Sequence, residues 1–246
     1  MIETRGLRFS YNGREVLRGI DFKAKSGEFV AILGPNGAGK STLVKCLAGI
    51  LRCGSVRILG RLVEGYSQRE LARTVAYVPQ SAERGFMTVF DTVLLGRRPY
   101  MSLTPSRKDL EAVEAALKRL GIEHLALKRT NEISGGELQK VGIARALAQE
   151  TGILIMDEPT NNLDLKSQLE VMRLAREFSA EGGIAIVVMH DVNLALRFAG
   201  RFVFMKNGKI VADGGREILK PSLFREVYGV DVAIEEVMGV PLVVPL

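Results

Sequence analysis

The nine residues GPNGAGKST (34–42) join small side chains to a Lys-Ser-Thr ending, a combination suited to holding the phosphates of a nucleotide. Glycines let backbone N–H groups close around phosphate oxygens, and a helix that begins at the lysine turns its positive end toward the anion. The stretch fits the full phosphate-loop pattern, with an apolar segment before it and helical spacing after it. In that pattern Lys40 reaches the β and γ phosphates, Ser41 ligates Mg²⁺ and Thr42 assists phosphate binding, while Asn36, Gly37, Ala38 and Gly39 form the cradle. A purely structural glycine turn would leave the Lys-Ser-Thr ending without a purpose.

GILIMDEP (152–159) carries two carboxylates to the end of an apolar run, the edge at which open α/β sheets build their sites. Asp157 suits Mg²⁺ coordination through water, and Glu158 suits polarising or orienting an attacking water. Helix capping is the structural alternative for the pair. His190 follows the apolar run IAIVVM, where its imidazole either contacts a γ-phosphate or is satisfied structurally; no spaced Cys/His group accompanies it to make a zinc site. Gln80, after YVP, either meets water or a metal ion or packs in a turn, and Tyr11 either stacks on a nucleobase or packs in a strand. In NEISGGELQ (131–139), a second Ser-Gly-Gly step precedes an apparent helix: Ser134 suits a helix cap, and Gly135 and Gly136 permit close backbone approach. Together these residues describe Mg-dependent nucleoside triphosphate hydrolysis.

Positioning them requires strands that end at those motifs. Apolar and alternating patches in LRFSY, EVLRGIDFKA and EFVAIL predict an N-terminal β region, and SVRILG and TVAYVPQ predict further strands. Helices are predicted from Lys40 to near Gly49, over 106–120, over 165–180 and over 192–198. Apolar runs followed by helical crossovers argue for an α/β fold with a mostly parallel, doubly covered sheet. Residues 86–150 read as an inserted helical subdomain and 220–246 as a packed C-terminal tail, with the whole of 1–246 as one ATPase domain. At 246 residues and 47% hydrophobic content the chain can bury a substantial core. Its N-terminus lacks a signal-peptide pattern and no run is long enough to span a bilayer. The two cysteines, Cys46 and Cys53, read as reduced thiols. A net charge of +6 is scattered, without an aromatic ladder, so no nucleic acid is expected as partner.

The ordered set Tyr11, GPNGAGKST, Gln80, ISGGELQ, ILIMDEP, NNLD (161–164) and His190 resembles the ATP-binding subunit of an ABC transporter over nearly the whole chain. The resemblance implies an ABC-type P-loop ATPase core with a mostly parallel sheet, an antiparallel N-terminal β region and an inserted helical subdomain. It implies that Tyr11 stacks on adenine, Gln80 senses Mg²⁺ or γ-phosphate, Glu158 is the catalytic carboxylate and His190 contacts γ-phosphate. It also implies that Ser134, Gly135 and Gly136 face ATP held by a second copy, with Asp164 communicating across that dimer. Ile133 and Glu137 stand where the family's signature often has Leu and Gln.

LLGRRPYMSL and the tail segments YGVDVAI and GVPLVVP are most similar to importers of iron-siderophore complexes, haem or cobalamin. The implied partners are a second copy, a transmembrane permease dimer and, indirectly, an extracytoplasmic substrate-binding protein. The implied location is the cytoplasmic face of the cell membrane, held through the permease. A metal-oxyanion importer and a soluble iron-sulfur assembly ATPase are the competing readings. The short interval between Lys40 and Ser134 has no room for the coiled coil of a chromosome ATPase, and a single phosphate loop disfavours tandem ribosomal relatives.

Overall fold

The computed structural model describes residues 1–81, 84–161 and 163–246. The chain opens with the long hairpin β1 (Ile2–Tyr11) and β2 (Arg14–Ala24), turning at Asn12-Gly13. The fully buried strand β3 (Phe29–Leu33) then enters the phosphate loop, and helix α1 (Lys40–Leu47) leaves it. β4 (Val56–Ile58) and β5 (Arg61–Leu62) extend the hairpin into an antiparallel sheet of order β2-β1-β4-β5. The short helix α2 (Gln68–Ala72) precedes β6 (Val75–Val78). Helices α3 (Val89–Leu94), α4 (Arg107–Arg119) and α5 (Gly135–Ala148) follow without an intervening strand, inside the 86–150 interval expected to be helical. Ser106 starts α4 through a capping box with Asp109, and Gly121 at φ 64° follows its end, matching the predicted 106–120.

The chain then alternates: β7 (Ile153–Asp157), α6 (Leu165–Ala180), β8 (Ile184–Val188), α7 (Val192–Phe198), β9 (Arg201–Lys206) and β10 (Lys209–Gly214). These strands join β3 and β6 in a sheet of order β10-β9-β3-β8-β7-β6, parallel except for edge strand β10. Strands buried on both faces explain the continuous apolar runs. Val30, Ile32, Ile155 and Ile186 face α1 and the antiparallel sheet, whereas Ala31, Leu33, Leu154 and Ala185 join the core under α3 to α7. Parallel pairing has the consequence that matters here: β3, β6, β7 and β8 all end on one edge, so Gly34, Gln80, Asp157 and His190 converge there.

Residues 220–246, the expected packed tail, hold a helix and a hairpin. Helix α8 (Pro221–Tyr228) starts with proline in its first turn, and β11 (Val232–Val237) and β12 (Val240–Pro245) form a separate antiparallel hairpin. Pro241 and Pro245, residues that lack a backbone donor, sit in a two-stranded sheet where each strand has an outward edge that needs none. The hairpin docks on α7: Asn193 donates to the Val243 carbonyl at 3.1 Å and accepts from the Val243 N–H at 2.8 Å.

Within the helical interval, Arg97 is only 2% exposed. It donates to Asp109 at 3.0 Å, the Ala148 carbonyl at 2.8 Å and Glu150 at 2.7 Å, and lies 4.2 Å over the Tyr100 ring. One side chain therefore ties the segment after α3 to the start of α4 and the end of α5. Both cysteines are free, and among the described residues no helix is long and apolar enough to cross a membrane.

Candidate active site

The phosphate loop is shaped by its neighbours as much as by its own glycines. Gly34 has φ 146°, and a Cβ there would lie 2.1 Å from the Met205 carbonyl oxygen, so no larger residue fits without moving β9. Gly39, at φ 97°, precedes α1 in a left-handed conformation; having no side chain, it leaves the first-turn N–H groups uncapped by its own atoms. Lys40 is buried and its Nζ donates to the carbonyls of Gly34 at 2.7 Å and Pro35 at 3.0 Å. Burial pushes the Lys40 ammonium below its ordinary pKa, while the nearby Glu158 and Asp157 oppose that shift.

Beside this loop lies an open cavity of about 630 Å³ lined by Tyr11, residues 36–42, Glu158 and the turn Asn207-Gly208. Tyr11 is partly exposed at its mouth and is held edge-on by Phe9 at 5.0 Å. The cavity also takes Arg14, Val16 and Arg18 from β2, none of which the motif reading singled out. Their sequence neighbourhood carries no phosphate or metal signal, and only the hairpin brings them to the loop.

The two carboxylates sit in different surroundings. Asp157 ends β7, accepting from Ser41 Oγ at 3.0 Å and from Tyr77 Oη at 3.3 Å. Burial pushes the Asp157 carboxyl above its ordinary pKa, with the Ser41 and Tyr77 hydrogen bonds opposing that shift and Glu158 adding to it. Ser41 and Asp157 form a hard oxygen pair of the kind Mg²⁺ prefers. Among the described residues no group of three or more His, Cys, Asp or Glu could hold a metal alone. A cation there would draw further oxygens from phosphate or water.

Glu158 adopts φ 51°, a conformation that non-glycine residues rarely hold and that clusters at functional positions. Its buried carboxylate is surrounded: Gln80 Nε2 and Asn161 Nδ2 each donate to Oε2 at 2.6 Å, and His190 Nε2 lies 2.5 Å from Oε1. Three strand ends thus place Gln80, Glu158 and His190 in one cluster. Asn161, the first residue of the NNLD run, carries no expected role of its own; its three-residue spacing from Glu158 in the turn after β7 is the signal for it.

The remaining expected site residues lie elsewhere in the single chain. Ser134, Gly135, Gly136 and Asp164 do not line the cavity. Ser134 caps α5 reciprocally: its Oγ accepts from the Glu137 N–H at 3.3 Å, and its own N–H donates to Glu137 Oε2 at 2.8 Å. Asp164 caps α6 by accepting from the Ser167 N–H at 2.7 Å. Of the NNLD motif, Asn162 lies outside the described residues.

Comparison with known proteins gives concordant matches. The family model described as ABC transporter matches residues 17–161. An uncharacterised ABC transporter ATP-binding protein of Methanocaldococcus jannaschii is 52% identical, over 100% of this chain and 98% of the relative. The ferric enterobactin transport ATP-binding protein of Escherichia coli is 39% identical, over 98% of this chain and 92% of its own length. The hemin import ATP-binding protein of Streptomyces coelicolor is 41% identical, over 98% and 88%. Among solved structures, an inward-facing protein described as a metal-chelate type ABC transporter superposes with TM-score 0.84 at 26% identity, covering 100% of this chain and 96% of that one. A dimeric ATP-binding cassette in a post-hydrolysis state with ADP and phosphate gives TM-score 0.78 at 27% identity, over 87% and 98%.

Proposed function

This chain belongs to the ABC transporter family as an ATP-binding, ATP-hydrolysing subunit, and from that premise we propose that it powers import of a metal chelate through a membrane permease. The cargo class is an iron-siderophore complex, haem or cobalamin. The observation that carries this reading is the near full-length likeness to the ferric enterobactin and hemin subunits, joined by the metal-chelate type structure.

In the proposed cycle two copies of the chain hold two ATP molecules between them. Tyr11 stacks on adenine, and residues 36–42 bind the phosphates. Ser41, Asp157 and Gln80 would hold Mg²⁺, which supplies charge neutralisation at the β and γ phosphates. Glu158 orients the attacking water, Gln80, Asn161 and His190 hold that carboxylate, and His190 also meets the γ-phosphate. Ser134, Gly135 and Gly136 complete the site of the other copy, and Asp164 communicates between the two.

Gly135 supports that last assignment. A Cβ added to it meets nothing within 4 Å, so its own chain makes no steric demand for glycine there. Gly135, the first residue of α5, holds no left-handed backbone, and where alanine fits the backbone, glycine costs roughly 0.4–1 kcal/mol through its freer unfolded chain; close approach of a second molecule accounts for accepting that cost.

The permease-facing surface is assigned to residues 86–100, where Phe86 is 80% exposed and Met87 and Leu95 also reach solvent. A cavity beside it is lined by Leu95, Arg98, Pro99 and Met101. Attachment through this surface places the chain peripherally at the cytoplasmic face of the membrane, with the extracytoplasmic binding protein an indirect partner.

Purifying the intact complex from native membranes, identifying its permease, and measuring ATP-dependent accumulation of candidate cargoes in vesicles tests the proposal. Accumulation of a ferric siderophore, haem or cobalamin is the expected result. Transport of molybdate alone, or recovery of the chain with no membrane partner, would overturn it.

A further inference from the structure

Behind Gln80 lies a further, more enclosed cavity of about 450 Å³, distinct from the nucleotide pocket and bordered by Thr92 of the permease-facing segment. It separates the turn after β6 from α5: Pro79 and Ser81, on either side of Gln80, line one side, and Gln139, Gly142 and Arg145 line the other. Gln139 is 5% exposed, and its Nε2 is sealed from solvent without a hydrogen-bond partner among the described residues. Its neighbours Leu138, Val141, Ile143 and Ala144 are all buried apolar residues. A buried amide donor without an acceptor bears its full desolvation cost, and an apolar side chain of similar volume would be the cheaper occupant. The position therefore carries a donor that the described residues leave unused, at the joint between the Gln80 turn and the helix that begins with Ser134.

We propose that Gln139 is a positioning residue for Gln80: when two ATP-bound copies close, α5 shifts against the turn, and the Gln139 amide donates to a main-chain oxygen of Pro79 or Ser81. The inference rests on the composite-site reading above. Gln139 is unfavourable in the separated chain and favourable in the closed pair, so it adds to the preference of ATP for the closed assembly. The bond also fixes the turn whose Gln80 side chain already donates to Glu158, linking closure to the orientation of that carboxylate.

The test uses the full chain carrying Glu158→Gln, with and without Gln139→Met, and Gln139→Leu as a second apolar replacement. Three quantities are read: the nucleotide-free melting midpoint, the affinity of the monomer for a fluorescent ATP analogue, and the dissociation constant of the ATP-dependent dimer. The inference expects an unchanged or higher midpoint, unchanged nucleotide affinity, and dimerisation weakened about thirtyfold, roughly fivefold for each of the two hydrogen bonds lost. A lower midpoint in both variants shows an ordinary packing role and overturns the inference. Dimerisation equal to that of the Glu158→Gln parent overturns it alone, whereas a parent that remains monomeric with ATP overturns the composite-site reading and this inference with it.

Discussion

Two helices of this protein begin at glycine-rich steps, and they begin for different reasons. At the start of α1 the surroundings demand glycine: a Cβ on Gly34 would strike the Met205 carbonyl, and Gly39 is left-handed. At the start of α5 the single chain makes no such demand; Ser134 and Glu137 form an ordinary capping box, and the space at Gly135 is open. The first step is built by packing within the chain. The second is complete as a helix cap and still carries glycine beyond what a cap needs, which directs attention to a surface outside the chain.

Substitutions can break this contrast, and the largest effect is expected at the carboxylate both halves serve. Glu158→Gln should lower turnover about 100- to 10,000-fold at saturating ATP while nucleotide binding persists, as measured by phosphate release and by equilibrium binding. Unchanged turnover would remove Glu158 from its assigned role. At the packed step, Gly34→Ala should destabilise the chain by roughly 3 kcal/mol through overpacking against β9, seen as a lower denaturant midpoint. At the open step, Gly135→Ala should leave the nucleotide-free chain as stable or up to about 1 kcal/mol more stable. The same change should weaken ATP-dependent dimerisation; a dimer of parental strength would show that the helix start faces nothing.

The smallest effect concerns the cap itself. Hydrogen bonds from Ser134 hold the Glu137 carboxyl below its ordinary value. A depressed carboxylate contributes stability above its unfolded value, about 4.3, and that contribution is lost as pH falls through the folded value. Ser134→Ala should therefore lower stability at neutral pH by roughly 1 kcal/mol and flatten the dependence below about pH 4, followed as melting midpoint against pH.

Local patterns made much of this legible. The strand-loop-helix around Lys40 and the helix over 106–120 follow from residues within a few positions of one another, where caps, glycines and apolar spacing act. The C-terminal hairpin was not legible, because Pro241 and Pro245 look like breakers until each is seen on an outward edge. Tyr77 and Asn161 were missed for a related reason: their partners are carboxylates, and nothing in a tyrosine within a strand or an asparagine within a turn says which oxygen it will meet.

By itself the sequence determined the chemistry on offer: a phosphate loop, a hydroxyl and a carboxylate for a cation, a second carboxylate, and a capped Ser-Gly-Gly helix start. Only the tertiary structure decided which of them meet. Gln80 and Glu158 are 78 residues apart in the chain and 2.6 Å apart in space, because parallel strands β6 and β7 end side by side. The same sheet leaves Ser134 and Asp164 away from the nucleotide cavity. Residue type and short spacing act through local conformation, whereas a hydrogen bond between strand ends requires the register of the whole sheet.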